Sequence, residues 1–263
     1  MTNSHELLHI ARDTRGVVTL TLNDPTRFNA LGSEMLTALQ QALDDAGRDE
    51  SVRVVVLAAA GKAFCAGHNL KDMAAHPELA YYQKLFAQCS RMMLTIHKLS
   101  VPVIARVQGM ATAAGCQLVA QCDLAVAADS ASFATSGIHY GLFCATPSVP
   151  LVRNVPAKVA MEMLLTGEFI SAQEAQQRGL VNRVVPADAL DLEVEKLVRA
   201  ILSKPREAIA MGKAVFYKHR ETGIEAAYQL AGQTMACNMA HPVTQEGVAA
   251  FMEKRAPSWR PQE

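Results

Sequence analysis

Residues 5–9 read HELLH, so His5, Glu6 and His9 have the spacing of a zinc-peptidase helix. That chemistry needs both imidazoles one turn apart on a buried helix, with a third ligand elsewhere. Here the pattern runs into a strand-like stretch, where the two rings are not arranged that way. Zinc is therefore not expected, and no other metal or redox group is implied. Gly61-Lys62 lacks the earlier glycine and the following hydroxyl residue of a phosphate loop; GxGxxG after a strand and GxSxG are both absent. Two segments remain: GKAFCAGHNLK at 61–71 and GMATAAGCQ at 109–117. Each follows an apolar, β-rich run and leads into a helical pattern. A helix start leaves N–H groups unpaired and favours negative charge. Two such ends facing each other would offer one N–H each to a carbonyl oxygen that gains charge, and small residues would admit a thioester or ester closely. The same residues would equally serve tight helix–strand packing, and composition leaves these two readings even.

The elements that must position those segments are legible. Runs 6–12 and 16–22 predict a hairpin, the second alternating Val18, Leu20 and Leu22 against Thr19 and Thr21. Ser33 offers an N-cap to a helix with Met35, Leu36, Leu39, Ala42, Leu43 and Ala46 on one face. VRVVVLAAA at 52–60 is apolar without alternation, as for a strand buried on both faces. Pro77 can start a helix whose stripe is Tyr82, Leu85, Phe86, Cys89, Met92, Met93 and Ile96. VPVIARV and DLAVAA flank the second segment as further strands. Strands alternating with helices predict an α/β class. Beyond about residue 155 helical patterns dominate, at 157–165, 171–178, 187–202, 205–219 and 222–239, with Val184–Val185 as a short strand. Met211, Val215, Tyr217, Tyr228 and Met235 suit core packing or an assembly surface. No internal repeat is visible.

At 263 residues the chain can bury one large core. Its formal net charge of zero gives no support to a nucleic-acid partner. No apolar run is long enough to span a membrane, so no membrane role is expected. The six scattered cysteines form no CxxC pair and read as reduced thiols. With an N-terminal stretch that looks neither secretory nor Arg-rich, they suggest a cytoplasmic protein.

Four stretches resemble the enoyl-CoA hydratase/isomerase (crotonase) superfamily. KAFCAGHNLKDM is similar to its KAFxAGxDLKEM loop, and VPVIARVQGMATAAGCQLVAQCDLAVAAD to its PVIAxVxGxAxGGGxxLxxxCDxxxAxx segment. TGEFISAQEAQQRGLVNRVVP and QEGVAAFMEKRAPSW resemble its later signatures. The likeness runs in register from about residue 6 to 260 and is nearest to the branch of enoyl-CoA hydratase domain-containing proteins. It implies a spiral of ββα turns over residues 1–200 and a helical oligomerisation region over 201–263, forming a homotrimer or a hexamer of paired trimers. It implies an acyl-CoA thioester as ligand, with no cofactor beyond its coenzyme A moiety. The backbone N–H groups of His68 and Ala114 map onto the family's oxyanion hole. Arg27, Asn29 and Ala30 map onto the loop at the adenine end, Ala66 onto the first site loop, and Lys62 and Lys71 onto the phosphate contacts. Phe251 and Lys254 map where a neighbouring subunit's site is completed.

The likeness breaks at the acid–base groups. Hydratases of the family carry glutamates where this chain has Gln117 and Gly137, and other branches carry an aspartate where it has Ala145. An amide takes no proton at neutral pH, and glycine has no side chain. Weak or absent hydration is expected, with Gln117 orienting a water or substrate group. His139, two residues past Gly137, is a substitute if the segment alternates, sharing its face; Asp72 and Cys144 are further candidates. Decarboxylation, thioester hydrolysis, or binding without turnover remain as other uses of such a site.

Overall fold

The computed structural model describes residues 7–259. Strands β1 (Leu8–Arg12) and β2 (Val17–Leu22) pair antiparallel, as the alternation requires. His9 lies on β1 and so on a strand; His5 and Glu6, the rest of the zinc-like pattern, fall outside the described residues. Helix α1 (Ser33–Arg48) buries the six residues its periodicity marks, although Gly32 is the N-cap and Ser33 makes no side-chain cap bond. Strand β3 (Val54–Ala59) is buried at every position. Val55 and Leu57 face a core shared with Leu36, Leu39 and Met92, while Val54 and Val56 face Leu190, Val194 and Val198. Burial on both faces is why this strand shows no alternation.

A ββα unit then recurs three times. Strand β3 is followed by β4 (Ala63–Cys65) and helices α2 (Leu70–Ala75) and α3 (Leu79–Lys98). Strand β5 (Val103–Val107) is followed by β6 (Met110–Thr112) and α4 (Ala114–Gln121). Strand β7 (Leu124–Ala128) is followed by β8 (Ser132–Ala134), a 3-10 turn (Ser136–Tyr140) and α5 (Ala145–Asn154). The first member of each unit joins a sheet ordered β1-β2-β3-β5-β7 and the second a sheet ordered β4-β6-β8; β10 (Arg183–Val185) and β9 (Ile170–Ser171) extend them beside β7 and β8. Strands β4, β6 and β8 are mutually parallel, so their carboxyl ends emerge on one side. The chain closes through α6 (Ala157–Thr166), β9 (Ile170–Ser171), α7 (Ala172–Gln177), β10 (Arg183–Val185) and α8 (Leu190–Leu202).

The last helices are α9 (Arg206–His219), α10 (Ile224–Ala240) and α11 (Pro242–Met252). Lys213 anchors them: its Nζ donates to Asp123 Oδ2 at 2.6 Å and to the carbonyls of Ile96 and Val101. Tyr217 donates to the other oxygen of Asp123 at 2.7 Å, so it belongs to this anchor. Neither α9 nor α10 buries a single residue fully; Tyr228 and Met235 are 74% and 75% exposed. Among the described residues no helix is long and apolar enough to cross a membrane.

Candidate active site

The three carboxyl ends of β4, β6 and β8 open onto one cleft of about 680 Å³. Ala66, His68 and Asn69 follow β4; Thr112, Ala113 and Ala114 end β6 and start α4; Ser136, Gly137 and His139 follow β8. Ligands in α/β folds commonly sit at such strand ends. The lining also holds the apolar side chains Phe28, Met73, Phe86, Leu142, Phe143 and Phe169. The stripe of α3 leaves the core here: Phe86 turns to the cleft, and Tyr82 donates to the Met73 carbonyl.

The small residues of 109–117 divide between the two readings. A Cβ on Gly109 would overlap the Lys62 carbonyl, and one on Gly115 the Cys65 carbonyl. What approaches these glycines is therefore β4 and the residue before it. Ala113 and Ala114, between them, line the cleft. Gly67, at φ +89°, brings the two loops together, since a Cβ there would lie 3.0 Å from the Ala114 nitrogen. Ala113 is the N-cap of α4 at φ 50°, a region an L residue adopts at a cost of about 1–3 kcal/mol. Ala114 N–H is the first of the helix and belongs to the group a helix leaves unpaired. His68 N–H has no backbone acceptor among the described residues. It does not come from a helix end, contrary to the expectation, because Asn69 caps α2 by accepting from the N–H groups of Lys71 and Asp72.

The loop before α1 is stitched to the same place. Ala66 N–H donates to Phe28 O at 3.0 Å, Leu31 N–H to Gly67 O at 2.7 Å, and His68 Nδ1 lies 2.9 Å from Leu31 O. Asn29 holds this loop from inside. It is fully buried, accepts from Asp24 N–H and donates to the carbonyls of Ala60 and Ala63. Its side chain is thus committed within the chain and does not line the cleft, which corrects its reading as a ligand contact. Arg27, Ala30, Ala66 and Lys71 do line it. Lys62 stands outside, 5.6 Å from the Phe28 ring centroid. Phe251 is 81% exposed, and neither it nor Lys254 lines this chain's own cleft.

No aspartate or glutamate lines the cleft among the described residues. Gln117 lies one turn beyond Ala114, is 4% exposed and is not among the lining residues; its Oε1 finds no partner among the described residues. Gly137 does line it, but a Cβ there would lie 2.6 Å from Leu142 O and 2.9 Å from Cys144 Sγ. The chain has closed over the position of the missing carboxylate. His139 and Gly137 do not alternate on a strand; they sit in the 3-10 turn, and both line the cleft. His139 Nε2 is 3.2 Å from the Gly167 carbonyl. Asp72 lines a smaller cleft that shares Arg27, Ala30 and Asn69 with the main one. Cys144 lines the main one, and burial pushes its thiol up, away from the reactive thiolate. Sequence reasoning missed a hydroxyl pair in the lining, Thr112 and Ser136, whose oxygens are 2.7 Å apart.

The family model for enoyl-CoA hydratase/isomerase matches residues 12–262. The chain belongs to this family. A crystal structure of enoyl-CoA hydratase from Mycobacterium smegmatis is 63% identical, with a TM-score of 0.95 over 96% of this chain and 98% of that one. That of human enoyl-CoA hydratase domain-containing protein 3 is 44% identical, with a TM-score of 0.93 over 96% of this chain and all of that one. The mouse enoyl-CoA hydratase domain-containing protein 3, named mitochondrial, is 44% identical over 97% of this chain and 85% of its own length. The crotonase fold and the likeness to the domain-containing branch therefore hold. The cytoplasmic assignment does not: it conflicts with relatives named mitochondrial. It rested on thiols that are indeed unpaired, but reduced thiols mark a reducing environment, which is not unique to the cytoplasm.

Proposed function

We propose that the cleft binds an acyl-CoA thioester with its carbonyl oxygen between the N–H groups of His68 and Ala114. Those two donors stabilise the enolate form of the thioester; one such donor contributes about 10²–10³ in rate. The observation that supports this reading is that His68, whose N–H has no backbone acceptor among the described residues, and Ala114, at a helix start, line one cleft with no lining carboxylate among the described residues. Hydration needs a base for water and an acid for the α-carbon, each contributing about 10²–10⁴. With both absent, hydration is weak or missing. Decarboxylation fits the lining better, because it needs enolate stabilisation and no base; hydrolysis needs an activated water and fits less well.

Arg27, Ala30, Ala66 and Lys71 hold the coenzyme A moiety in this reading, with Lys62 reaching from outside, and no other cofactor is required. Phe251 and Lys254 contribute to a neighbouring copy's cleft in a homotrimer or a pair of trimers. The uncovered apolar side chains of α10 and α11 support an assembly of this kind. The test is incubation with crotonyl-CoA, following loss of the enoyl thioester absorbance, with calorimetry of coenzyme A thioester binding on the same sample. Binding with little hydration is expected. Hydration at ordinary enzyme rates would refute the account of the missing acid–base groups. Absence of binding would refute the thioester site.

A further inference from the structure

Two residues aim the two donor N–H groups. The His68 N–H belongs to the peptide after Gly67 and the Ala114 N–H to the peptide after Ala113, so each plane is turned by the ψ angle of the residue before it. Those two residues abut. A Cβ built on Gly67 would stand 2.9 Å from Ala113 Cβ, 3.0 Å from Ala114 N and 3.1 Å from Thr112 O. The Ala113 methyl is therefore the side chain seated against Gly67 where the two loops meet, and Ala113 lines the cleft. Both residues are also tied elsewhere. Gly67 O accepts from Leu31 N–H at 2.7 Å, and Gly67 N–H donates to Cys65 Sγ at 3.4 Å. Ala113 N–H donates to Ala134 O and its carbonyl accepts from Gln117 N–H, each at 3.0 Å.

The methyl is held there under strain. Ala113 has φ 50° and ψ −119°, the dihedrals of the first central residue of a type II′ turn, a position dominated by glycine. Its negative ψ takes it outside the left-handed helical region that other residues visit. Glycine would meet this geometry without strain. Such strain persists only where the surroundings over-determine it, as the two backbone bonds of Ala113 do here. What alanine adds over glycine is one methyl, and that methyl lies against Gly67. Resting on the thioester reading above, we infer that Ala113 is a positioning residue: its methyl, packed on Gly67, fixes the separation and aim of the His68 and Ala114 N–H groups before the thioester oxygen arrives. Donors set in advance need no reorganisation as charge develops, which is the source of their effect. With glycine at 113, two adjoining pivots would both lack side chains, and the two peptides would no longer constrain each other.

The experiment uses the full chain, Ala113→Gly and Ala113→Ser, with two ligands that differ only in the carbonyl: butyryl-CoA and S-butyl-coenzyme A, a thioether. Calorimetry gives their affinity ratio, which reads the contact of the oxygen with the two N–H groups. In the unaltered chain the thioester binds about tenfold more tightly, the value of one good hydrogen bond. In Ala113→Gly that ratio falls to about threefold or less, whatever the absolute affinities. The same change raises Tm by roughly 2–6 °C, because the strain released outweighs the added freedom of glycine in the unfolded chain. Ala113→Ser keeps a Cβ and keeps the ratio. Infrared difference spectra of the ¹³C-labelled carbonyl give a second readout. Its stretch moves down on binding to the unaltered chain and returns part way toward the free value in Ala113→Gly. A merely structural role would move Tm and leave the ratio and the stretch. A ratio and stretch unchanged in Ala113→Gly, a ratio lost equally in Ala113→Ser, or a fall in Tm in Ala113→Gly would each overturn the inference while leaving the thioester site standing. A ratio near one in the unaltered chain, or binding of neither ligand, would overturn the thioester reading with it.

Discussion

Restoring the missing carboxylates should not restore hydration, and Gly137→Glu shows why. The 3-10 turn folds back so that Leu142 N–H donates to Gly137 O at 3.1 Å. This places the Leu142 carbonyl and the Cys144 sulfur 2.6 and 2.9 Å from where a Cβ would stand. Both are well inside van der Waals contact, and one is backbone, so the turn must move as a unit. Overpacking of this kind costs about 1–3 kcal/mol. For a chain of this size that is a fall in Tm of roughly 2–12 °C. Adding Gln117→Glu puts a carboxyl at a 4% exposed position that does not line the cleft. Burial without a counter-ion raises a carboxyl pKa, so that group is held neutral. The double variant should gain less than about tenfold in crotonyl-CoA hydration, against the 10⁴ or more that two working acid–base groups would supply. The assays are thermal unfolding and loss of enoyl thioester absorbance. A double variant as stable as the parent that gains 10⁴ would refute the argument that the chain has closed over this position.

Two further outcomes follow from contacts outside the lining. Asn29→Ala leaves the Asp24 N–H and the Ala60 and Ala63 carbonyls without their buried partner, and should cost roughly 3–5 kcal/mol by urea unfolding. A loss under about 1 kcal/mol would mean that the 24–31 loop is held by its backbone bonds alone. Glu246 accepts from both Arg255 Nη atoms and from Ser258 N–H, which bring its carboxyl down to about 2 from 4.5. A depressed carboxylate stabilises above its unfolded value and loses that contribution as pH falls toward the folded one, so the tail should loosen between those limits. Trp259, the sole tryptophan, packs against Gly247 and reports this by fluorescence; the transition should vanish in Glu246→Gln.

Much of the scaffold was legible because its signals are local. The buried face of α1 matches its periodicity residue for residue, and the unbroken apolar run of β3 announces burial on both sides. The ββα recurrence was legible through the family resemblance and not through periodicity. Strands β4, β6 and β8 have three residues each, too short for a period to develop, and they form through pairing with one another across distant sequence. Helix α11 was missed because its apolar residues wrap around it, with only Ala250 buried.

The sequence by itself determined which groups are absent. Gln117 and Gly137 cannot exchange protons in any fold, and the motifs around them mark the family without coordinates. Only the tertiary structure decided what the remaining groups do. It turned Asn29 inward, because three backbone groups from separate strands and loops meet there. It filled the space beside Gly137 with the chain's own turn, and it split the small residues of 109–117 between β4 and the cleft. It gave His68 one bonded and one empty nitrogen. Residue types set what a side chain can donate or accept, while its partners come from segments far apart in the chain, which only folding brings together.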